Sequence, residues 1–334
     1  MTIFNQSCIP VPYDDEVLSS WMYRVREVFP DPEVRALYEL DYEEALESPL
    51  MHAYNGGLSY EVDLDFDFDS QEVIEFVRVY DLSIDWVKST FGLQNSHFIP
   101  LKFKTDYCLR CMDEAVTSIG FPVYLKSWRS IFSPFCIKHR CALRSTNMVL
   151  VNSIQFTMDV FEYAYQYPKH LEREDYWFTS TSNVQQLGII VAERIKLLLL
   201  EATEAGIYDE VSSFLMALLR TVLAKDIFTV HPSVMKAEVQ YSDGYRSKGP
   251  LTPFYQRPFL STGMARGHAF YMVGLMLGWI DECEASKLQV DFDLYFPFSA
   301  NCIWQRVANP NRLLIILEFH STYLLNASML SGRR

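Results

Sequence analysis

The chain has 334 residues, of which 49% are hydrophobic and 15% aromatic, so it can bury a substantial core and is long enough for two domains. Its formal net charge of −13 argues against a surface that binds nucleic acid throughout, because such a surface would repel phosphates. The seven cysteines are an odd number without disulfide-like spacing, and the N-terminus lacks the basic region of a secretory signal, which favours a reducing cytoplasm. The longest uncharged apolar run, residues 267–280, is shorter than the roughly 20 residues that cross a bilayer.

The N-terminal third predicts a succession of short helices. Residues 14–29 open with three acidic side chains, which suit the positive end of a helix, and then repeat apolar residues at helical spacing. Ser70 is a predicted N-cap, and Gly92 is a predicted C-terminal stop. The helices predicted in this way cover residues 14–29, 30–40, 43–48, 70–82 and 83–92.

Residues 61–70, EVDLDFDFDS, alternate acidic and apolar side chains. One interpretation is a calcium loop whose ligands are four alternate aspartates, Asp63, Asp65, Asp67 and Asp69. A calcium loop needs a glycine where Phe68 stands and a glutamate at its twelfth position, and both are missing. The alternation therefore favours a short edge strand or loop that buries its apolar residues, Leu64, Phe66 and Phe68.

Two pairs of metal-ligand residues follow in the middle of the chain. Cys108 and Cys111 form a C-x2-C pair, and Cys136 and His139 form a C-x2-H pair after a gap of 24 residues. A two-residue gap lets one tight turn aim two side chains at the same ion, and two such turns can close a tetrahedron. Thiolate and imidazole ligands select zinc, so the pattern predicts one structural zinc site with an elaborated hairpin between the pairs. Buried apolar cysteines beside a solvated histidine are the alternative.

The second half of the chain predicts long apolar helices. They cover residues 183–202, 209–225, 267–280 and 311–330. Between the second and third lies a turn-rich stretch, residues 241–268, whose bases outnumber its single acid. Basic and aromatic side chains interleaved in this way could grip a nucleic-acid strand, with Arg246, Lys248 and Arg257 as candidate contacts. An ordinary solvated loop with aromatic anchors is the alternative.

The negative charge is concentrated towards the N-terminus. Residues 1–107 hold 21 acidic and seven basic residues, a net of −14, whereas the remainder holds 21 acidic and 22 basic residues, a net of +1. Residues 108–145 contain six bases and two acids, so any nucleic-acid contact is expected to be local. The candidate phosphate contacts there are Lys126, Arg129, Lys138 and Arg140. Solvated surface charge is the alternative for the last three.

The sequence contains none of the common catalytic motifs. A P-loop, a dinucleotide-binding GxGxxG, a nucleophile-elbow GxSxG and a zinc-protease HExxH are all absent. A metal with four protein ligands has no open position for activated water. Five of the six histidines outside the metal pairs are each predicted to be a loop or core residue rather than a base, namely His97, His170, His231, His268 and His320. We therefore predict that the protein is not an enzyme.

The N-terminus and residues 108–145, called the metal segment below, together resemble the TniQ family. In that family a proline-flanked acidic turn leads into a helix with Ser-Trp and a following Arg, here Ser20, Trp21 and Arg24. A C-x2-C pair, an aromatic residue, a Trp-Arg, a C-x2-H pair and a leucine follow in order. Here these are Cys108, Cys111, Tyr124, Trp128, Arg129, Cys136, His139 and Leu143. The resemblance covers about residues 9–145, and the rest of the chain matches only in being helical.

The resemblance implies a function in DNA transposition. TniQ-type proteins serve cut-and-paste transposons: some bind a chosen DNA site, and others dock on an RNA-guided complex such as the Cascade of a CRISPR-associated transposon. Both kinds recruit the transposon's TnsC-like AAA+ ATPase. The modest length and strong acidity favour the short adaptor subtype, which works through protein contacts and often forms a homodimer. The alternative is a sequence-specific DNA-binding target-site selector that uses the basic metal segment and residues 241–268.

The sequence thus predicts a mainly α-helical protein in three parts. They are an acidic helical N-terminal domain over residues 1–105, a zinc-ribbon-like segment over 106–150 and a helical C-terminal domain over 151–334. Trp128 is predicted to cover the metal site and shield its thiolates from water. The acidic N-terminal domain suits a basic partner, such as an ATPase that coats DNA. Its candidate partner contacts are Asp14, Asp15, Glu16 and Arg24.

Overall fold

The structure is a computed structural model, and it describes most of the segments that carry these predictions. The described residues are 9–29, 63–92, 97–99, 106–146, 156–166, 182–223, 258–259, 261–288, 299–301 and 303. Within them the predicted mainly helical character is confirmed, and strand is confined to four two-residue pieces. The helices predicted over 30–40, 43–48 and 311–330 lie outside the described residues, as do Arg246, Lys248 and Arg257.

Three helices near the N-terminus share one apolar core. They are α1 (Leu18–Val28), α2 (Gln71–Val79) and α3 (Ile84–Phe91). Trp21 of α1 lies at the centre of this core, with its ring 5.6 Å from Phe76, 5.5 Å from Trp86 and 5.0 Å from Phe91 between centroids. A large aromatic side chain that contacts both neighbouring helices anchors them through the area it buries.

The predicted N-cap at Ser70 is confirmed. Its hydroxyl oxygen accepts a hydrogen bond from the backbone N–H of Val73, and Ser83 caps α3 in the same way through Trp86. Each cap satisfies one of the N–H groups that the first turn of a helix leaves without an intrahelical partner.

The segment before α2 is a loop, the second of the two forms predicted for it, but it does not bury all the predicted apolar residues. Residues 63–70 form successive turns, and they bury Leu64 but leave Phe66 exposed. The period-2 prediction failed for Phe66 because alternate acids point inwards instead: Asp65 is buried. Asp63 and Asp65 both bind the guanidinium of Arg129, so these aspartates neutralise an interior cation of this chain.

The middle of the chain supplies the only strands among the described residues. They are β1 (Asp106–Tyr107), β2 (Phe135–Cys136), β3 (Cys141–Ala142) and β4 (Arg144–Ser145). β1 pairs antiparallel with β4, and β2 pairs antiparallel with β3. Helix α4 (Leu109–Ile119) and a 3-10 helix (Lys126–Arg129) lie between β1 and β2, where the sequence predicted an elaborated hairpin.

Five more helices follow among the described residues. They are α5 (Phe156–Gln166), α6 (Ser182–Glu204), α7 (Tyr208–Val222), α8 (Gly263–Met276) and α9 (Glu282–Leu288). The largest apolar core lies between α6, α7 and α8. None of the helices in the described part of the chain is long and apolar enough to cross a membrane.

The metal segment is joined to this large core through Phe135 of β2. Its ring fits where α6 and α8 pass each other at glycines: a Cβ added to Gly188 would lie 2.8 Å from the ring, and one added to Gly267 would lie 2.7 Å from it. Ile131, Phe132 and Ala142 belong to the same core. The residue that precedes the ligand Cys136 is therefore held by the C-terminal helices.

A buried ion pair makes a second connection. Asp106 of β1 accepts hydrogen bonds from the Ser145 hydroxyl at 2.6 Å and from the backbone N–H of Gly263 at 3.1 Å. Its other oxygen binds the guanidinium of Arg266, which also donates to the carbonyl of Ser261. Both charged side chains are inaccessible to solvent, so each depends on the other for compensation of its charge.

Candidate metal centre

Four side chains converge at the start of α4 and at the turn between β2 and β3. Cys108 is the N-cap residue of α4, Cys111 lies in its first turn, Cys136 ends β2, and His139 lies in the turn. Each offers one ligand atom, and the four atoms lie within 4.8 Å of one another. The structure therefore brings together the four residues predicted from the two spaced pairs, and this group could hold a metal ion.

The closest distances between ligand atoms of the group are similar to one another. Nδ1 of His139 lies 3.5 Å from the sulfur of Cys108, 3.2 Å from that of Cys111 and 3.4 Å from that of Cys136. The sulfurs of Cys111 and Cys136 are 3.5 Å apart. Atoms this close around one centre can all reach a shared cation. The three thiols are buried and the imidazole is half-buried, so water has little access to the group.

Hydrogen bonding favours thiolate at two of the three cysteines. A hydrogen bond from Cys111 is the main cause that lowers the pKa of Cys108 to about 7. The pKa of Cys136 is also lowered, by hydrogen bonds from Cys108, Cys111 and Cys141 and by the backbone N–H of His139. The same hydrogen bonds raise the pKa of Cys111. Only the thiolate form is a metal ligand, so a cation at this centre would itself have to displace the proton of the third thiol.

The second ring nitrogen of His139 contacts a residue that the sequence did not single out. Nε2 lies 3.0 Å from the carboxylate of Glu114, which also binds Lys138 at 2.5 Å. Burial lowers the pKa of His139, but the hydrogen bond to Glu114 and those to the thiols outweigh it and raise the pKa above its usual value. A carboxylate in this position fixes the ring orientation and leaves Nδ1 to face the thiols.

Glu114 could have been found from helical spacing. Cys108, Cys111 and Glu114 are three residues apart in turn, so a helix that begins at the first cysteine places all three on one side. The signal was lost because the predicted hairpin at this point has no such periodicity.

We expect Glu114→Gln to weaken metal binding by about 10- to 100-fold, the usual effect of removing a carboxylate behind a ligating histidine. A competition titration with a chromogenic chelator measures this loss directly. Lys138→Met is the matched control, because it removes the other partner of Glu114 but leaves the contact to His139. Equal affinity of the wild type and Glu114→Gln would show that this carboxylate does not support the ligand.

Trp128 belongs to the apolar surroundings of the centre, and the shielding of the thiolates predicted for it stays a prediction. Its side chain is buried in the same apolar cluster as the three cysteines, and it meets Tyr124 edge-on at 5.0 Å between centroids. A fifth thiol, Cys141, pairs with Cys136 across the β2–β3 ladder and hydrogen-bonds to Cys108 and Cys136.

The prediction that Arg129 contacts phosphate is wrong. Its side chain is 0% exposed, and it binds Asp65 at 2.6 Å, Asp63 at 2.5 Å and the carbonyl of Ile99. The ring of Phe66 covers the guanidinium at 4.6 Å. Sequence alone could not separate this arginine from a surface one, because its acidic partners lie more than 60 residues away along the chain.

The other three predicted phosphate contacts of the metal segment have partners; Lys138 and Arg140 are exposed, and Lys126 is half-buried. Lys138 binds Glu114, and Arg140 lies 3.4 Å from Glu193 of α6. Lys126 donates from Nζ to the carbonyl of Thr90 at 2.9 Å. Two of these three cations are therefore offset by a carboxylate of the same chain.

The predicted partner contacts at the N-terminus divide into two kinds. Glu16 and Arg24 form a buried ion pair at 2.6 Å, so the prediction that these two meet a partner is wrong. Glu16 also accepts hydrogen bonds from Tyr13 and Ser20, which closes the turn before α1. Asp14 is exposed and Asp15 is half-buried, so both carboxylates remain near the surface.

Two isolated histidines lie in the described residues. His268 is buried on α8, and desolvation lowers its pKa to about 4, so it is neutral at physiological pH. Burial followed by repulsion from Arg220 also lowers the pKa of His97. For His268 the predicted core position is confirmed. His170, His231 and His320 lie outside the described residues.

Comparison with known proteins gives no matching family model, no matching curated protein and no matching solved structure. The chemistry of the centre is therefore derived from its ligands and their surroundings. Four protein ligands, three of them buried thiols, form a closed set of the kind found in structural metal sites.

Proposed function

We propose that this protein is a zinc-containing adaptor of a transposition system, which links a target-recognition complex to the transposon's AAA+ ATPase. The resemblance of residues 9–145 to the TniQ family suggests the system. One structural observation favours protein contacts over DNA contacts: Arg129, Lys138 and Arg140, bases of the metal segment, all bind acidic side chains of this chain.

Zinc is the metal that suits the ligands best. Zn–S bonds of about 2.3 Å and Zn–N bonds of about 2.0–2.1 Å give tetrahedral edges of about 3.8 Å between sulfurs and about 3.6 Å between sulfur and nitrogen. The four closest separations, 3.2–3.5 Å, need only a small expansion to match, and the other two lie within 4.8 Å. The ion would hold the start of α4 against the β2–β3 turn, with no step of chemistry required of it.

The charge of the N-terminal third also favours a protein partner over DNA. A site-specific DNA-binding protein typically presents a concentrated basic face. The first 107 residues instead carry a net charge of −14, which would repel a phosphate backbone. A basic ATPase that coats DNA would be attracted by the same charge, which speeds encounter and sets orientation. The target-recognition complex, RNA-guided in some TniQ systems, would occupy another surface, and a homodimer would present two copies of each.

We expect the purified protein to bind the transposon's AAA+ ATPase more tightly than it binds duplex DNA at physiological salt. Anisotropy with the labelled ATPase gives the affinity for the protein partner. Anisotropy with labelled random and target duplexes, measured from 50 to 200 mM salt, gives the DNA affinity and its salt dependence. A protein with 6–10 phosphate contacts loses about 10³- to 10⁵-fold in affinity over that range. Tight, sequence-selective and steeply salt-dependent binding would overturn the adaptor function in favour of a DNA-binding target-site selector.

The same assay tests the acidic turn. Asp14→Asn with Asp15→Asn should weaken ATPase binding by about tenfold, because two carboxylates that face the partner are neutralised. Glu16 is left intact, because its removal would leave the buried guanidinium of Arg24 without the carboxylate that pairs with it. Asp209→Asn with Glu210→Gln is the matched control, as it removes two exposed carboxylates at the start of α7.

A further inference from the structure

An open pocket of about 360 Å³ lies between the acidic turn and α3, away from the metal ligands. One wall is the turn itself, residues 11–16. The opposite wall is formed by Trp86, Thr90 and Phe91 of α3, and Lys126 of the 3-10 helix lies at the side. The pocket therefore joins three parts of the chain that only the fold brings together.

The acidic turn is rigidly held by side chains of α1. The indole N–H of Trp21 donates to the carbonyl of Pro10 at 2.7 Å, and Arg24 donates to the carbonyl of Val11 at 3.1 Å. Asp15 has a φ of 61°, in the left-handed region, and its carboxylate accepts from the backbone N–H of Ser127 at 3.1 Å. Because this wall is already held in one conformation, ligand binding costs little further conformational entropy, which favours affinity.

Two large apolar side chains of the pocket remain open to solvent. Val11 is 82% exposed, and Trp86 is 39% exposed although Trp21 packs against it from the core at 5.5 Å. Their exposure on preformed walls leaves apolar surface that a bound side chain would cover. The indole of Trp86 also offers a π-face, the best aromatic surface for a cation.

The charged groups that face the pocket are Asp14, Asp15, Glu16 and Lys126. Glu16 is neutralised by Arg24, and the ammonium of Lys126 is held by the carbonyl of Thr90. Two carboxylates and one ammonium leave the pocket with a net negative charge. A cationic side chain with an apolar stem matches both the charge and the exposed apolar walls.

We propose that this pocket receives an arginine side chain of the protein partner. Its guanidinium would lie against Trp86 and beside the carboxylates of Asp14 and Asp15. Arginine fits better than lysine, because its planar, weakly hydrated group both stacks on an aromatic ring and pairs with carboxylates. The identity of the partner as the ATPase rests on the proposed function, whereas the preference of the pocket for arginine does not.

The test uses the full chain with ¹⁵N-labelled tryptophan indoles, in which the Trp86 resonance is assigned by its absence from Trp86→Phe. The probe is the blocked peptide acetyl-Gly-Arg-Gly-amide. Its matched control replaces arginine with citrulline, which has the same shape but no charge. The arginine peptide should shift the Trp86 resonance saturably, and the citrulline peptide should bind at least fivefold more weakly.

Asp14→Asn with Asp15→Asn should weaken the arginine peptide at least fivefold, whereas Asp209→Asn with Glu210→Gln should bind it as the wild type does. Asn at position 15 keeps an oxygen for the N–H of Ser127 and tolerates a positive φ, so the turn survives. Equal binding of the two peptides, or undiminished binding by the Asp14/Asp15 variant, would overturn the proposal. If the arginine peptide shifts the Trp86 resonance but the protein does not bind the ATPase, the pocket is supported and the adaptor function is contradicted. If the protein binds the ATPase but the peptide leaves the Trp86 resonance unchanged, the adaptor function is supported and the pocket is contradicted.

Discussion

Cys108→Ser with Cys136→Ser is expected to reduce the metal content from about one zinc per chain to none. The double variant removes a thiolate from each side of the centre and breaks the link between the start of α4 and the β2–β3 turn. In small zinc-binding peptides this link amounts to about 10–16 kcal/mol of apparent binding free energy, which is also folding free energy. Inductively coupled plasma mass spectrometry of the purified protein measures the metal, and hydrogen exchange locates the loss of structure.

The loss of ordered structure in the double variant should spread from the metal segment to the C-terminal helices α6 and α8. Phe135 precedes Cys136 and lies against Gly188 and Gly267, so disorder at β2 would loosen the contact of α6 with α8. The N-terminal core around Trp21 contains none of the metal ligands, and its amide protection should persist.

Cys141→Ser is the control for that experiment. Cys141 hydrogen-bonds to two of the ligands but is not among the four atoms that converge, so this variant should keep its zinc. Zinc retained by the double serine variant, or absent from the wild type, would contradict the assigned ligands.

Asp106→Ala is expected to destabilise the protein by about 3–5 kcal/mol, the usual effect of leaving one charge of a buried pair without its partner. Arg266 would remain buried on α8 without its carboxylate, and the hydroxyl of Ser145 would lose its acceptor. The N–H of Gly263 would keep only its longer contact of 3.3 Å to the Ser145 hydroxyl oxygen. Urea denaturation followed by circular dichroism measures the free energy of unfolding.

A double-mutant cycle separates the ion pair from its surroundings. Asp106→Ala with Arg266→Met removes both charges, so it should cost less than the sum of the two single variants. The reason is that each single variant leaves one isolated buried ion, whereas the double variant leaves none. Strictly additive losses would show that the two charges do not stabilise each other.

Local signals in the sequence were sufficient for several elements. The caps at Ser70 and Ser83 and the helices around Trp21 and Phe270 are encoded by neighbouring residues, so they could be predicted without knowledge of the fold. Helix α5 was not predicted, because its sequence FTMDVFEYAYQ is rich in aromatic residues that carry a weak helical preference. Its apolar residues Phe156, Val160 and Ala164 are instead buried against the metal segment, and tertiary contact stabilises the helix.

The sequence by itself determined the four residues that converge at the candidate metal centre, because the two-residue gaps fix which side chains can reach one ion. It also determined the helical character and the acidic N-terminal third. Only the tertiary structure decided which charges are available to a partner. Arg129, Arg24 and Glu16 were predicted to contact phosphate or a partner, but ion pairs hold all three in the interior. The acidic partners of Arg129 lie 66 and 64 residues away along the chain, whereas Arg24 and Glu16 are eight residues apart. Trp86, an ordinary helical residue in the sequence, becomes part of a pocket because the turn of residues 11–16 folds opposite it. The free energy of a buried charge depends on partners far along the chain, and no local pattern carries that information.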